Sequence, residues 1–375
     1  MRVTVNRNQL IKSLEDLGRI AIPKRERPIL SCVLIESLGD MVALTATDLR
    51  LVLTCRIPAV AQTEPGSAAV NFEEVKEIVG RCHAEEVELR LEGEGLFSVG
   101  SGEDRWSAAG LPAAEYPKPL DISDGEAVRL GQPMLKRMLE LVAFVSSRDE
   151  NRDLLCGVQF HISGDTITLL ATDGSMLAAS ENKIRYAARE ELLFLMPNKT
   201  ADLLAECLAQ DGELTLYKDR NHVLLDLNGR RIFTRIGEAY TGYDEIYQNA
   251  KTLPPAQYNK SIGYRPMKVD RLTILHALKR ALKSVSVDRP EIAFRVRENK
   301  LLLTKTIDGA VIFMEEISVK FGGAKELVIG LTPRRIIPIL EALLSESVTF
   351  DVSGSEKPVI IREEALYFIL PTRLP

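Results

Sequence analysis

The chain has 375 residues, of which 45% are hydrophobic, 27% charged and 6% aromatic. That balance belongs to a globular protein with real cores and excludes a disordered, collagen-like or disulfide-framework chain. Lys and Arg number 48 against 53 Asp and Glu, a net charge of −5, which argues against a uniformly basic nucleic-acid coat but permits a local basic face. The length implies two or three domains. Cys32, Cys55, Cys82, Cys156 and Cys207 form no C-x-x-C pair, so most are read as buried thiols. MRVTVNRNQL at the start has no apolar leader stretch, and no run approaches the roughly 18 apolar residues of a membrane span. A reducing cytoplasm and no membrane partner are therefore expected.

One pattern recurs along the chain. A strand-like piece, Arg2 to Val5, precedes a helical stripe at Leu10, Leu14 and Leu17. A strand at Cys32 to Glu36 follows, then LTATDLRL from Leu44, a second helix over 71–83 and a strand at Glu86 to Leu91. The second copy opens at Ala127 to Leu130 and continues with a stripe at Leu135, Met138, Leu139 and Val142. It then shows a strand at Gly157 to His161, LLATDGSML from Leu169, a helix over 197–209 and a strand at Glu213 to Lys218. The third opens at Ser261 to Tyr264, with a stripe at Ile274, Leu278, Ala281 and Leu282. A strand at Ala293 to Val296, LLLTKTIDGA from Leu301, a helix over 333–344 and a strand at Ser347 to Val352 complete it. Asn6, Gly131 or Gln132, and Asp270 stand near the first-helix starts. The aspartates at 48, 173 and 308 are 125 and 135 residues apart, too long a period for a solenoid and suited to three similar domains. Each reads as two helices packed on antiparallel sheet, an α+β class. Boundaries are placed in the Pro-bearing polar stretches 113–127 and 247–260, giving domains 1–120, 121–253 and 254–375.

LPAAEYP at 111–117, LLATDG at 169–174 and LPTRL at 370–374, on this threefold repeat, resemble the bacterial sliding clamp, the beta subunit of DNA polymerase III. The resemblance covers the whole chain. It implies three repeated DNA-clamp domains per protomer and two protomers closing a head-to-tail ring around duplex DNA. It also implies a processivity factor that slides without reading sequence and tethers DNA polymerase, clamp loader and other motif-bearing proteins. A sliding ring needs weak, non-directional phosphate contacts, with the acidic excess on the outside. Segment 268–283, KVDRLTILHALKRALK, carries five cations and one acid, so Lys268, Arg271, Lys279, Arg280 and Lys283 lead the DNA candidates. Arg7, Lys12, Arg19, Lys76, Arg81, Lys136, Arg137, Lys199, Arg334 and Arg335, at polar positions of the other repeat helices, join them. Lys24, Arg25 and Arg27 form a basic loop where the family has a DNA-contacting arginine. The family's second contact loop reads RDENRDLL here, so Arg152 stands among acids.

The family's partner-peptide pocket maps onto Leu155, Thr172, Gly174, Ser175, Met176, Leu177, Ile246, Val359, Leu370, Pro371, Thr372, Arg373 and Leu374. Leu177 and Leu370 are expected as its apolar floor. Ser175-Met176 replaces a family His-Arg, Glu245 an arginine, and Pro290 and Arg335 aromatics, which implies altered peptide selectivity. A divergent accessory clamp, serving a plasmid, phage or specialised polymerase, is the alternative within the same class. For the homodimer interface the match implies Arg105 and Trp106 against Glu315 and Glu316, with Ser284 and Val285 nearby.

An enzyme reading is weaker. Neither H-E-x-x-H, a P-loop nor G-x-S-x-G occurs, and no catalytic residue, metal or cofactor is expected. GEGLFSVGSG lies between strands and reads as a hairpin. Asp48, Asp173 and Asp308 are more economically turn-stabilising Asx residues than a catalytic series. A metal-dependent nuclease is the remote enzyme alternative.

Overall fold

The computed structural model describes residues 1–21, 27–92, 95–118, 122, 126–227, 229–239, 241–252, 263–323 and 326–374. Seven α-helices lie among them: α1 Arg7–Leu17, α2 Phe72–Arg81, α3 Gln132–Val142, α4 Asn198–Cys207, α5 Thr241–Thr252, α6 Arg271–Ala281 and α7 Pro333–Ala342. Short polar residues cap α1, α2 and α6. Asn6 Oδ1 accepts from the amides of Asn8 and Gln9, Asn71 Oδ1 from Glu73 and Glu74, and Asp270 Oδ1 from Thr273, satisfying amides that have no intrahelical acceptor. The buried stripes fall at helical spacing: Leu10, Leu14 and Leu17; Phe72, Val75 and Val79; Ile274, Leu278 and Ala281.

The chain divides into two compact units. The first comprises Met1–Pro133, Arg185–Glu190 and Asp202–Ile236; the second comprises Met134–Ile184, Glu191–Ala201 and Gly237–Pro375. The first holds one twelve-stranded sheet, in the order Arg2–Asn6, Glu86–Glu92, Leu96–Ser101, Asp104–Leu111, Gly66–Asn71, Cys32–Leu38, Met41–Thr47, Leu51–Glu64, Arg230–Arg235, His222–Asp226, Glu213–Lys218 and Glu126–Gly131. Its first eight strands also close on themselves, because Arg2–Asn6 pairs with the far end of Leu51–Glu64. The second unit holds a nine-stranded sheet, in the order Leu192–Pro197, Gly157–Ser163, Thr166–Thr172, Met176–Lys183, Leu366–Ile369, Val359–Arg362, Ser347–Val352, Arg265–Asp270 and Lys320–Phe321. A four-stranded sheet, Ala310–Ser318, Lys300–Ile307, Ile292–Arg297 and Leu327–Leu331, completes it. Strands of the middle third thus join sheets with strands of either neighbouring third. The expected boundaries 120/121 and 253/254 lie outside the described residues.

Several expectations are corrected. Lys268 is not helical. Segment Arg265–Asp270 is a strand in which Met267 and Val269 are buried and Lys268 exposed, the period of two that a strand requires. Asp270 then starts α6. Part of the stretch read as a second linker is helix α5, anchored by buried Tyr247. Asp48 and Asp173 take the Asx role: Asp48 Oδ1 accepts from the amides of Arg50 and Leu51, and Asp173 Oδ1 from those of Ser175 and Met176. Asp308 does not. It sits at φ +50° before Gly309 at φ +83° in a tighter hairpin and pairs with Arg289 at 3.0 Å. Asp219 takes the role unpredicted, accepting from Asn221 and His222.

Candidate functional site

The Thr172–Met176 hairpin organises the second unit's candidate site. Thr172 Oγ1 donates to the Met176 carbonyl at 2.7 Å and accepts from the Gly174 amide at 3.0 Å. Gly174 is required twice. Its φ is +86°, and a Cβ there would stand 2.6 Å from the Arg152 guanidinium. Arg152 instead closes over the hairpin and donates to the Asp173 carbonyl at 2.9 Å. Leu155 is buried beneath the glycine. Beside the hairpin lies a cleft of about 550 Å³, lined by residues 144–149, Arg152, Asp173 to Met176, and Arg334, Arg335 and Pro338 of α7. Arg335 Nε stands 3.7 Å from Asp173 Oδ2. The cleft is rich in arginine, with Phe144, Val145, Met176 and Pro338 as apolar lining.

Strand alternation distributes the expected pocket residues between two faces of the nine-stranded sheet. Met176 pairs with Ile369, and Ile369 with Val359, so these share one face. Phe144 stacks on Tyr367 of that same face. Thr172 and Leu177 pair with each other, and Leu177 with Phe368, on the other face. There Leu177 joins Leu170, Ala179 and Tyr247, with Leu366 and Phe368 packed against them. Ile246, next to Tyr247 on α5, and Leu370 are each 46% exposed. The Leu370 amide donates to the Ser175 carbonyl at 2.9 Å. Beyond half-buried Pro371, Thr372 donates its amide to the Gly330 carbonyl at 2.8 Å. A Cβ on Gly330 would meet the Thr372 carbonyl at 2.1 Å and Leu374 at 3.0 Å, so the tail docks on the four-stranded sheet only because residue 330 is glycine. Arg373 is exposed.

The cationic candidates are differently engaged. Arg271 donates to the carbonyls of Ser345 at 2.7 Å and Leu340 at 2.9 Å. Arg137 donates to the Ala342 carbonyl at 2.8 Å and to Glu364 at 2.7 Å. Lys279 pairs with Glu341 at 2.6 Å, and Arg280 donates to Glu315 at 2.9 Å. Hydrogen bonding to Arg280 holds the Glu315 carboxyl below its usual range. Lys283, Lys199, Lys268 and Arg27 are exposed, and Lys136 half-buried. Lys24 and Arg25 lie outside the described residues. Three of the five α6-region cations, Lys279, Arg280 and Lys283, thus cluster at the end of α6 and on its 3-10 extension Leu282–Ser284, the first two in ion pairs.

The interface candidates fall on two sheet edges. Asp104–Leu111 pairs along its length with Leu96–Ser101, but on its other side only Gly110 and Leu111 pair among the described residues. Arg105 there is exposed and pairs with Glu88 at 3.2 Å and Glu92 at 3.3 Å; Trp106 is half-buried. Ala310–Ser318 is the end strand of the four-stranded sheet. Val311, Ile312 and Met314 on it are 58%, 47% and 66% exposed, an apolar edge strand of the kind that invites pairing with another chain. Glu316 on this strand pairs with Lys300 at 2.8 Å, and Ser284 and Val285 are half-buried.

Among the described residues no cluster of three or more His, Cys, Asp or Glu could hold a metal, and no helix is long and apolar enough to cross a membrane.

Repeated sheet-and-helix pairs joined through continuous sheets define a tandem-repeat α+β protein. The family described as DNA polymerase III beta subunit, N-terminal domain, matches residues 1–121, and its central domain matches residues 129–240. The chain is 26% identical over 379 residues to the beta sliding clamp of Escherichia coli K12 and 23% identical over 389 residues to that of Bacillus subtilis. Each alignment covers 100% of both chains. The crystal structure of the DNA polymerase III subunit beta from Pseudomonas aeruginosa superposes with a TM-score of 0.89 at 22% identity, and a sliding clamp from Bartonella birtlesii bound to griselimycin with 0.89 at 25%. Both comparisons cover 100% of both chains. The chain belongs to the DNA polymerase III beta subunit family, the bacterial sliding clamps.

Proposed function

We propose that the protein is the processivity factor of a bacterial DNA polymerase: a non-catalytic, cytoplasmic homodimer that encircles duplex DNA, slides along it and tethers partners by a short peptide motif. Family membership supports the class. The observation that carries the assembly is the pair of unsatisfied sheet edges, Asp104–Leu111 and Ala310–Ser318. Joining the first of one protomer to the second of its partner would pair their backbones and cover Val311, Ile312 and Met314. Such a contact is head-to-tail, and a ring requires that it close after two copies. Each protomer would contribute three clamp domains, 1–120, 121–253 and 254–375. Non-specific phosphate attraction falls to Lys279, Arg280 and Lys283 together with Lys136 and Lys199.

For partner peptides the reading uses the Leu177 face, bordered by Ile246 and Leu370, and the basic cleft beside Met176. The first supplies apolar contact; the second, through Arg334, Arg335 and Arg148, favours an acidic residue in the same peptide. Sedimentation tests the assembly. The wild type should run at twice the 41.7 kDa chain mass, and Trp106→Glu or Met314→Glu should return it to monomer. A wild-type monomer at micromolar concentration would overturn the ring.

A further inference from the structure

The first unit repeats, strand for strand, a sheet face that α5 covers in the second. Met41–Thr47, Leu51–Glu64, Arg230–Arg235 and His222–Asp226 follow one another as Thr166–Thr172, Met176–Lys183, Leu366–Ile369 and Val359–Arg362 do. Val52 pairs with Phe233 as Leu177 pairs with Phe368, and Thr54 with Arg231 as Ala179 with Leu366. Two residues further on, Arg56 therefore stands in register where Glu181 stands. In the second unit this face is filled from within the chain. Tyr247 packs on Leu170, Leu177 and Ala179, and Glu181 accepts from Tyr247 at 3.1 Å and from Lys251 at 2.6 Å. In the first unit the corresponding face carries a cleft of about 250 Å³, with Leu34, Val52, Leu224 and Phe233 as apolar wall and Arg56 on its lining. The buried Nε of Arg56 has no hydrogen-bond partner among the described residues. The cleft's other cations are matched, Lys118 by Glu36 at 2.8 Å and Arg231 by Asp226 at 2.7 Å.

We propose that this cleft binds a short peptide of a partner protein, which places one aromatic or aliphatic side chain against Val52 and Phe233 and a carboxylate on Arg56. The ligand class follows from inverted charge at one register position. Glu181 takes donors from α5; Arg56 needs an acceptor, and its charge selects an anionic one. The cleft lies below the roughly 300 Å³ of a drug-sized site, so it holds a single anchor side chain. It shares no lining residue with the second unit's cleft.

Methyl-labelled Leu and Val of the full chain report the test. The probe is the hexapeptide acetyl-Gly-Ser-Asp-Leu-Phe-Gly-amide, with Asn in place of Asp as its control. The Asp peptide should shift the Leu34, Val52 and Leu224 methyls saturably, and the Asn peptide should bind about 10-fold more weakly. Arg56→Gln should abolish that difference, and Arg56→Lys, which keeps the charge, should preserve a preference for Asp. Shifts confined to Leu155, Leu177 and Leu370, equal affinity for the two peptides, or cleft shifts that follow protein concentration and mark a second copy as occupant would each overturn the proposal.

Discussion

Arg7 and Arg271 make the same attachment in two copies of the repeat. Arg7 opens α1 and its guanidinium reaches the carbonyls of Val79 and Gly80 at the end of α2, at 3.3 and 3.4 Å; Arg271 opens α6 and reaches Leu340 and Ser345, at and beyond the end of α7, at 2.9 and 2.7 Å. Their own amides donate to Glu85 at 2.8 Å and Glu346 at 2.9 Å. Gln132 holds the place in the middle copy, donating its amide to Gly212 and its side chain to Glu213 and accepting from the Ala209 amide. Each joins the start of a repeat's first helix to the chain leaving its second. In the outer copies a positive charge also meets a helix C-terminus.

That attachment separates two kinds of cation on α6. Arg271→Ala should lower unfolding stability by about 1–3 kcal/mol, because it leaves carbonyls without donors. Lys283→Ala should leave stability unchanged but reduce the salt slope of DNA binding by about 1. Denaturant melts and binding isotherms over a salt series distinguish them. The reverse pattern would make Arg271 the phosphate ligand.

Lys305 is 2% exposed and its ammonium is held by the Glu291 carboxylate at 2.7 Å and by the carbonyls of Arg289 and Glu291 at 2.8 and 2.9 Å. Lys305→Met strands a buried carboxylate and should cost about 3–5 kcal/mol, read as a lower urea midpoint. Adding Glu291→Gln should recover part of the loss. Equal melts for wild type and Lys305→Met would show that water reaches the pair.

Three phenols report on alkaline stability. Burial raises the pKa values of Tyr116, Tyr247 and Tyr367 above their ordinary value, and Tyr116 and Tyr367 donate to backbone carbonyls, at 3.1 Å to Thr45 and 2.9 Å to Leu141. A raised folded-state pKa gives stability that is complete below the unfolded value of about 10 and is lost as pH rises through the folded value. Tyrosinate absorbance should therefore show these phenols ionising above pH 10 together with unfolding. Titration of all nine tyrosines near pH 10 in the folded protein would contradict their burial.

Much of this was readable from local signals. Helix stripes, polar caps and the Thr-Asp hairpins depend on residues a few positions apart, and Thr47-Asp48 and Thr172-Asp173 make matching hydrogen bonds. What was not readable depends on partners distant in sequence. That Arg230–Arg235 pairs with Leu51–Glu64, and Leu366–Ile369 with Met176–Lys183, cannot be inferred from periodicity. Tyr247 reveals α5 only through the Leu177 face it covers. The division of the pocket residues was, by contrast, available: Met176 and Leu177 are neighbours on a strand and must face opposite ways.

Retention on DNA of different topology tests encirclement most directly. After loading by a clamp loader onto nicked circles, the protein should remain bound at salt that abolishes binding to short duplexes, because a closed ring is not screened. Cutting the circle once should release it rapidly. Equal loss from circular and linear DNA at every salt would show a surface-bound protein and contradict the clamp.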